Sequence, residues 1–205
     1  MKFSAAGCYV ANIQIFLGYT TDEDQIACEI TSGGQRCVFQ NVHFAGMGDD
    51  IPAARAGSAS LKLGGAENHF SNCTIGIDTI SRTTTNAEMI ITVGTRNVFD
   101  DCLWPTFAGS TGHLFMSAGA SCIDRFILFR RNTFINAIQS TALTMTAAMS
   151  INGGGSPGGM ALLDDCKLYG ATYWVTADTA KVMLSGPVGA ADSKLYGIAR
   201  TADLP

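Results

Sequence analysis

The chain has 205 residues, of which 47% are apolar and 15% charged, with a formal net charge of -4. That balance belongs to a folded chain with a substantial core and excludes a disordered one. Lys and Arg are scattered singly apart from Arg130-Arg131, which leaves no visible nucleic-acid footprint and disfavours an anionic-membrane surface, and no apolar run approaches a membrane span.

The first stretch, "MKFSAAGCYVANIQIFLGYTTDEDQ", carries its small residues "SAAG" ahead of a short apolar run. A signal peptide has its cleavage site after such a run, so this reads as mature protein. It contains the first copy of a repeat, "VANIQI" at 10–15. Further copies follow in order: "FQNVHF" at 39–44, "FSNCTI" at 70–75, "FDDCLW" at 99–104, "RRNTF" at 130–134 and "LDDCKL" at 163–168. The template is apolar, any, Asn or Asp, small or apolar, any, large apolar. Its third position falls at Asn12, Asn41, Asn72, Asp101, Asn132 and Asp165, with steps of 29, 31, 29, 31 and 33 residues. Such a period signals a repeat architecture.

Each later copy is preceded by a second apolar alternation that ends in glycine or a small residue. These are "IACEITSGG", "SLKLGG", "EMIITVG", "HLFMSAG" and "AAMSINGGG", and "KVMLSG" at 181–186 opens a further, incomplete turn. The unit therefore reads as strand, glycine corner, short strand, Asn/Asp corner, short strand and variable loop. A continuous strand would put Phe70 and Asn72 on one face and Cys73 and Ile75 on the other. A left-handed residue at 72 turns Phe70, Cys73 and Ile75 toward one interior, and Asn and Asp tolerate that conformation best among non-glycine residues. The unit is too long and leucine-poor for a leucine-rich repeat and too short for a propeller blade. The β-branched alternation and the glycines exclude helical repeats.

Stacking such units pairs each strand with its equivalent one turn away, about 4.8 Å along the axis. The expected fold is all-β: one right-handed parallel β-helix of about six rungs over residues 1–184, with a capping or docking tail at 185–205 ("PVGAADSKLYGIARTADLP" lies within it). The corner residues should form one column, and Phe39, Phe70, Phe99 and Leu163 an inward column beside it. Phe134 and Trp104 also read as core, whereas Tyr173 and Trp174 read as outward.

"HFSNCTI" and "NVFDDCLW" resemble rungs of the pectate-lyase-like right-handed β-helix superfamily, in which Asn commonly takes the sharp corner. The resemblance spans roughly residues 8–184 and implies the fold, not the function, since lyases, hydrolases, adhesins and viral spikes share it. The Thr/Ser/Ala/Gly-rich stretches "DTISRTTTNAEMI" and "FINAIQSTALTMTAAMS" resemble virion structural proteins of tailed bacteriophages.

The pairs Asp49-Asp50, Asp100-Asp101 and Asp164-Asp165 raise polysaccharide cleavage, which needs two carboxyl groups across the scissile bond. Asp101 and Asp165 are corner residues, Asp100 and Asp164 lie outward beside them, and Asp49-Asp50 sit in the loop "AGMGDDIPAARAGSAS". Pectate lyases bind calcium through clustered acids and use an arginine base; neither has a counterpart here. His43, His69 and His113 fall at three phases of the repeat and form no zinc set. Glu67 and Glu88 have no partner at a recognisable spacing. Seven cysteines without a C-x-x-C exclude a zinc ribbon or a dense disulfide framework and suit a reducing compartment of synthesis. Cys73, Cys102 and Cys166 share one inward position, replaced by Val42 and Thr133 elsewhere, and read as buried small fillers. "SINGGGSPGGMALL" at 150–163 lacks the Lys and the helix of a phosphate loop.

No catalytic, cofactor-binding or metal-binding residue and no cofactor are assigned. The expected function is non-enzymatic: a virion structural protein, a capsid decoration or surface protein of a tailed phage, made in the host cytoplasm and working as a homotrimer against the major capsid or other virion proteins. The alternatives are a tailspike-type polysaccharide-degrading enzyme and a non-catalytic module that binds surface glycan.

Overall fold

The computed structural model describes residues 1–137, 142–151, 159–176, 179–185 and 194–195. It is a parallel β-solenoid of about five turns. Every strand pair among the described residues is parallel. One six-stranded sheet stacks Lys2–Phe3, Ile26–Ile30, Ala59–Leu63, Ala87–Ile91, Leu114–Ala118 and Met149–Ile151. A second, twelve-stranded sheet holds the repeat copies, beginning with Tyr9–Phe16 and Val38–Ala45 and reaching Val182–Ser185 and Lys194–Leu195. The turn count is close to the six rungs expected from the repeat copies.

Register confirms the inward columns. Val10, Phe39, Phe70, Phe99, Phe129, Leu163 and Leu184 stand opposite one another along the second sheet. The rings of Phe39, Phe70, Phe99 and Phe129 stack at centroid distances of 4.9, 4.3 and 5.2 Å. Past the corner a second column contains Phe44, Ile75, Trp104, Phe134 and Leu168. Facing them from the first sheet are Cys28, Leu61, Met89, Met116 and Met149. Burying whole phenyl and aliphatic side chains, at roughly 1.5–3 kcal/mol each, drives the turns together.

The corner column is real, with one correction. Asn12, Asn41, Asn72, Asp101 and Asp165 all have φ between 49 and 57°, but in the fifth copy the left-handed residue is Arg131 (φ 52°), not Asn132. Pairing of Arg130 with Asp100 and of Thr133 with Leu103 fixes that register. Asn132 is the inward residue equivalent to Cys73, Cys102 and Cys166, and Thr133 points outward. The reason is chemical. Each of those three thiols reaches two carbonyls, one two residues back and one from the turn before, at 3.4–3.6 Å. The Asn132 amide donates to the same pair, Arg130 and Phe99, at 2.8 Å each. Its oxygen also accepts from the buried Trp104 indole at 2.9 Å, for which a thiol is a poor substitute.

The glycine corners hold a second left-handed column in which the positive φ belongs to Gly7, Arg36, Glu67 and Arg96. The glycines before it answer to crowding instead: a Cβ on Gly65 would lie 1.9 Å from the Gly34 carbonyl oxygen. The inward residues after this corner are Cys8, Cys37, Asn68 and Asn97. Asn97 Oδ1 accepts from the Asn68 amide N–H and Asn68 Oδ1 from that of Cys37, both at 2.9 Å, which satisfies donors inside the core.

Trp174 corrects another expectation. It is buried edge-on against Phe134 at 5.6 Å, whereas its neighbour Tyr173 is exposed. Of the tail 185–205, the described part is Ser185 and Lys194–Leu195, which pairs parallel with Met183–Leu184. The glycine-rich residues 152–158 lie outside the described residues.

Candidate functional site

On the side where the long loops leave the solenoid, the chain assembles a polar cluster invisible in its spacing. Glu88 is the second residue of the first-sheet strand Ala87–Ile91, Thr106 ends a second-sheet strand, and Arg82, Asn86 and His113 come from the loops between strands. All five are buried, and the side chains of Arg82, Glu88 and His113 are fully so. Glu88 Oε1 accepts from Arg82 Nε at 3.0 Å and from the Thr106 hydroxyl at 2.8 Å, and Oε2 accepts from Ser60 at 2.7 Å. The rest of the Arg82 guanidinium donates to the carbonyls of Met47, Ile80, Ile77 and Gly46 at 2.8–3.4 Å. Asn86 donates to the Ala53 and Arg55 carbonyls and accepts from His113 Nδ1 at 2.6 Å. The cluster thus laces successive loops to the wall.

Its electrostatics are settled by Arg82. Burial pushes the Glu88 carboxyl up, but the Arg82 charge, helped by the Ser60 hydroxyl, outweighs it and holds the carboxyl at about 2. Burial pushes His113 below its usual range against the pull of Glu88. With Nδ1–H donated to Asn86, Nε2 of the neutral ring can only accept, so it shares the single Thr106 hydroxyl hydrogen with Glu88 Oε1, each 2.8 Å from that hydroxyl. A carboxylate and an imidazole 3.6 Å apart would suit proton transfer, but both belong to side chains with no solvent exposure. A groove of about 120 Å³, lined by Thr85, Asn86, Ile90, Leu114 and Ser117, opens on the outer face of the first sheet. The cluster is a clamp by construction.

The outer carboxylates are organised differently. Parallel stacking brings equal repeat positions together, and at three places the charges alternate in sign. Lys2, Glu29 and Lys62 form one ladder at 3.2 Å per contact. Arg36 and Arg96 flank Glu67, the first at 2.6 Å. Arg131 binds Asp101 and Asp100 at 2.7 Å, while Arg130 lies 3.7 Å from Asp100 and from Asp164. Arg131, hydrogen-bonded to Asp101, holds that carboxyl below its ordinary range, as Arg36 and then Arg96 do for Glu67. The only adjacent arginines in the sequence therefore sit between two Asp-Asp pairs.

Asp49 caps the one-turn helix Asp50–Ala53, accepting from Ile51 N at 3.1 Å and from Thr20 at 2.9 Å. His43 bonds Gln14 and the Gly76 carbonyl, and His69 is exposed on the second sheet, so the three histidines stay apart. Among the described residues no group of three or more His, Cys, Asp or Glu could hold a metal ion. The sequence set Glu88 and His113 aside because they are 25 positions apart; burial of a charged residue in an otherwise apolar "AEMIITV" strand was the available signal. Comparison with protein-family models, curated proteins and solved structures finds no match to the chain.

Proposed function

We propose that this solenoid is a non-enzymatic structural protein of a tailed-phage virion, a capsid decoration or surface protein acting as a side-by-side homotrimer on the capsid lattice. In this reading it is a right-handed member of the pectate-lyase-like class that its rungs resemble. One observation carries the non-enzymatic part: the carboxylates Glu88, Asp100, Asp101 and Asp164 are committed to structure. Glu88 is locked to Arg82 inside the wall, and Asp100, Asp101 and Asp164 are bridged by Arg130 and Arg131. A glycan-cleaving pair needs one carboxyl free to give a proton and one free to attack or activate water.

The docking part is supported by the first turn. Tyr9, Phe16 and Tyr19 are 66, 57 and 59% exposed, beside the free edge of the eight-residue strand Tyr9–Phe16. Among the described residues this strand is paired on one side only, and a long free strand edge flanked by exposed aromatics is a surface that proteins cover by association. Exposed Tyr169 and Tyr173 favour the second reading, a module that stacks sugars on aromatics.

Purified protein should leave host surface glycan intact and should bind capsids that lack it, seen as added surface density on imaged particles. Depolymerisation abolished by Asp49→Asn or Asp50→Asn would instead establish the tailspike enzyme. Retention on glycan without cleavage would establish the receptor module.

A further inference from the structure

Cys8 and Cys37 are consecutive members of the inward column behind the glycine corners. Gly7, with φ of 75°, and Arg36, with φ of 53°, make the same left-handed turn one rung apart and deliver the two cysteines to equivalent positions. The backbone locks that register: Val38 N donates to the Cys8 carbonyl at 2.8 Å, Gly7 N to that of Gln35 at 2.9 Å, and Tyr9 stands opposite Val38. Facing residues on parallel strands lie about 4.8 Å apart, inside the Cα window of a disulfide. Both sulfurs also converge on one atom, the Ala5 carbonyl oxygen, at 3.4 Å from Cys8 and 3.5 Å from Cys37.

Access separates this pair from the rest. Cys8 is half-buried next to exposed Ala5, Ala6 and Gly7 at the open end of the solenoid, while Cys37 lies directly behind it with no exposed surface. Cys73 and Cys102 are in the same mutual register, since Thr74 faces Leu103, but both are buried mid-stack under the aromatic ladder. Cys28, Cys122 and Cys166 stand opposite no cysteine.

We propose that Cys8 and Cys37 are an oxidisable dithiol that staples the first turn to the second when the protein meets a peroxide or a disulfide oxidant. With hydrogen peroxide, the Cys8 thiolate attacks one oxygen to give a sulfenic acid and hydroxide. The Cys37 sulfur then attacks the Cys8 sulfur, its proton leaves with the sulfenic hydroxyl as water, and the S–S bond closes. Two thiols lose two electrons and two protons, and peroxide becomes two waters. Cys8 meets the oxidant because it is the accessible thiol, and Cys37 resolves because it cannot leave its rung.

The test is to treat reduced, full-length protein with equimolar hydrogen peroxide and separately with glutathione disulfide, block free thiols, and map peptides without reduction. Both oxidants should yield the peptide linking Cys8 to Cys37, about 2 Da lighter than the reduced pair, before any other change. Cys37→Ala should leave Cys8 as a sulfenic acid that dimedone traps, or as a stable glutathione adduct, and Cys8→Ser should abolish the reaction. Circular dichroism matching wild type shows that each variant is folded; if Cys37→Ala is not, Cys37→Ser replaces it. Persistent sulfenic acid or glutathione on Cys8 in the wild type, a Cys73–Cys102 link forming first, or an unreacted Cys8 would each overturn the proposal.

Discussion

Replacing Arg82 by Met tests whether the buried cluster is a structural clamp. The substitution keeps much of the side-chain volume and removes the charge, leaving Glu88 ionised with only neutral donors, Ser60 and Thr106, inside the wall. Breaking a buried ion pair by deleting one partner costs about 3–5 kcal/mol. Four carbonyls, at Gly46, Met47, Ile77 and Ile80, also lose a donor, although water entering the loosened loops offsets part of that. A loss of about 4 kcal/mol, at about 3 °C per kcal/mol for a chain of this size, lowers Tm by about 12 °C. The pH dependence supplies the sign. In the wild type the Glu88 carboxyl lies at about 2, below its unfolded value of 4.5, so its contribution is present above 4.5 and is lost as pH falls through 2. Without Arg82, burial raises the folded value above 4.5, and ionisation then penalises the folded state as pH rises. The Tm gap between variant and wild type should therefore widen from pH 4 to 7 and narrow below pH 4, followed by thermal circular dichroism. Arg82→Met combined with Glu88→Leu should recover much of the loss, because no charge remains buried. A single-variant Tm within about 3 °C of wild type, or a double variant as unstable as the two losses added, would refute the clamp.

Other expectations are checkable by the same means. His113 is held below 6.5 by burial, so wild-type stability is full above pH 6.5 and declines as pH falls below it, while the unfolded chain alone takes up the proton; His113→Gln should remove that slope between pH 5 and 6.5 in denaturant titrations. Asn132→Ala orphans the Trp104 indole and two carbonyls and should cost about 2–3 kcal/mol, whereas Asn132→Cys restores the carbonyl partners and should cost about half as much. Arg131→Asn gives up the ion pairs but gains a residue better suited to φ of 52°, so its Tm should stay within about 2 °C, and Arg131→Val should fall well outside that range. In thiol labelling, native protein should react first at Cys8 and Cys122; Cys28 and Cys166, whose thiols burial pushes up to about 12, should wait for denaturation, as should buried Cys73 and Cys102.

The solenoid was legible because one interaction repeats. A phenylalanine that must stack on its counterpart a turn away recurs near every 30 residues, and the left-handed corner after it admits few residue types. Arg131 shows where that reading stops. Sequence offers Asn132 as the better corner former, yet Asn132 is taken inward by the Trp104 indole and two carbonyls, and the corner falls to an arginine fixed by Asp101. Local preference yielded to a buried hydrogen-bond demand. Arg36, Glu67 and Arg96 likewise take left-handed corners, each two residues after a glycine that marks the turn in the sequence. The Arg82–Glu88–His113 cluster was illegible because its members occupy loops of unequal length, where no period relates them.

The alternating charge ladders constrain how such a chain can lengthen. Copying one turn would preserve every aromatic stack and backbone pairing, since each turn meets only its neighbours. At the glycine corner, however, duplicating the turn that carries Glu67 would set two glutamates face to face between Arg36 and Arg96. Copying two consecutive turns keeps the order of signs intact. Gene duplication acting on this architecture should therefore leave descendants that differ by even numbers of turns, with odd steps surviving only where a corner charge has also been replaced.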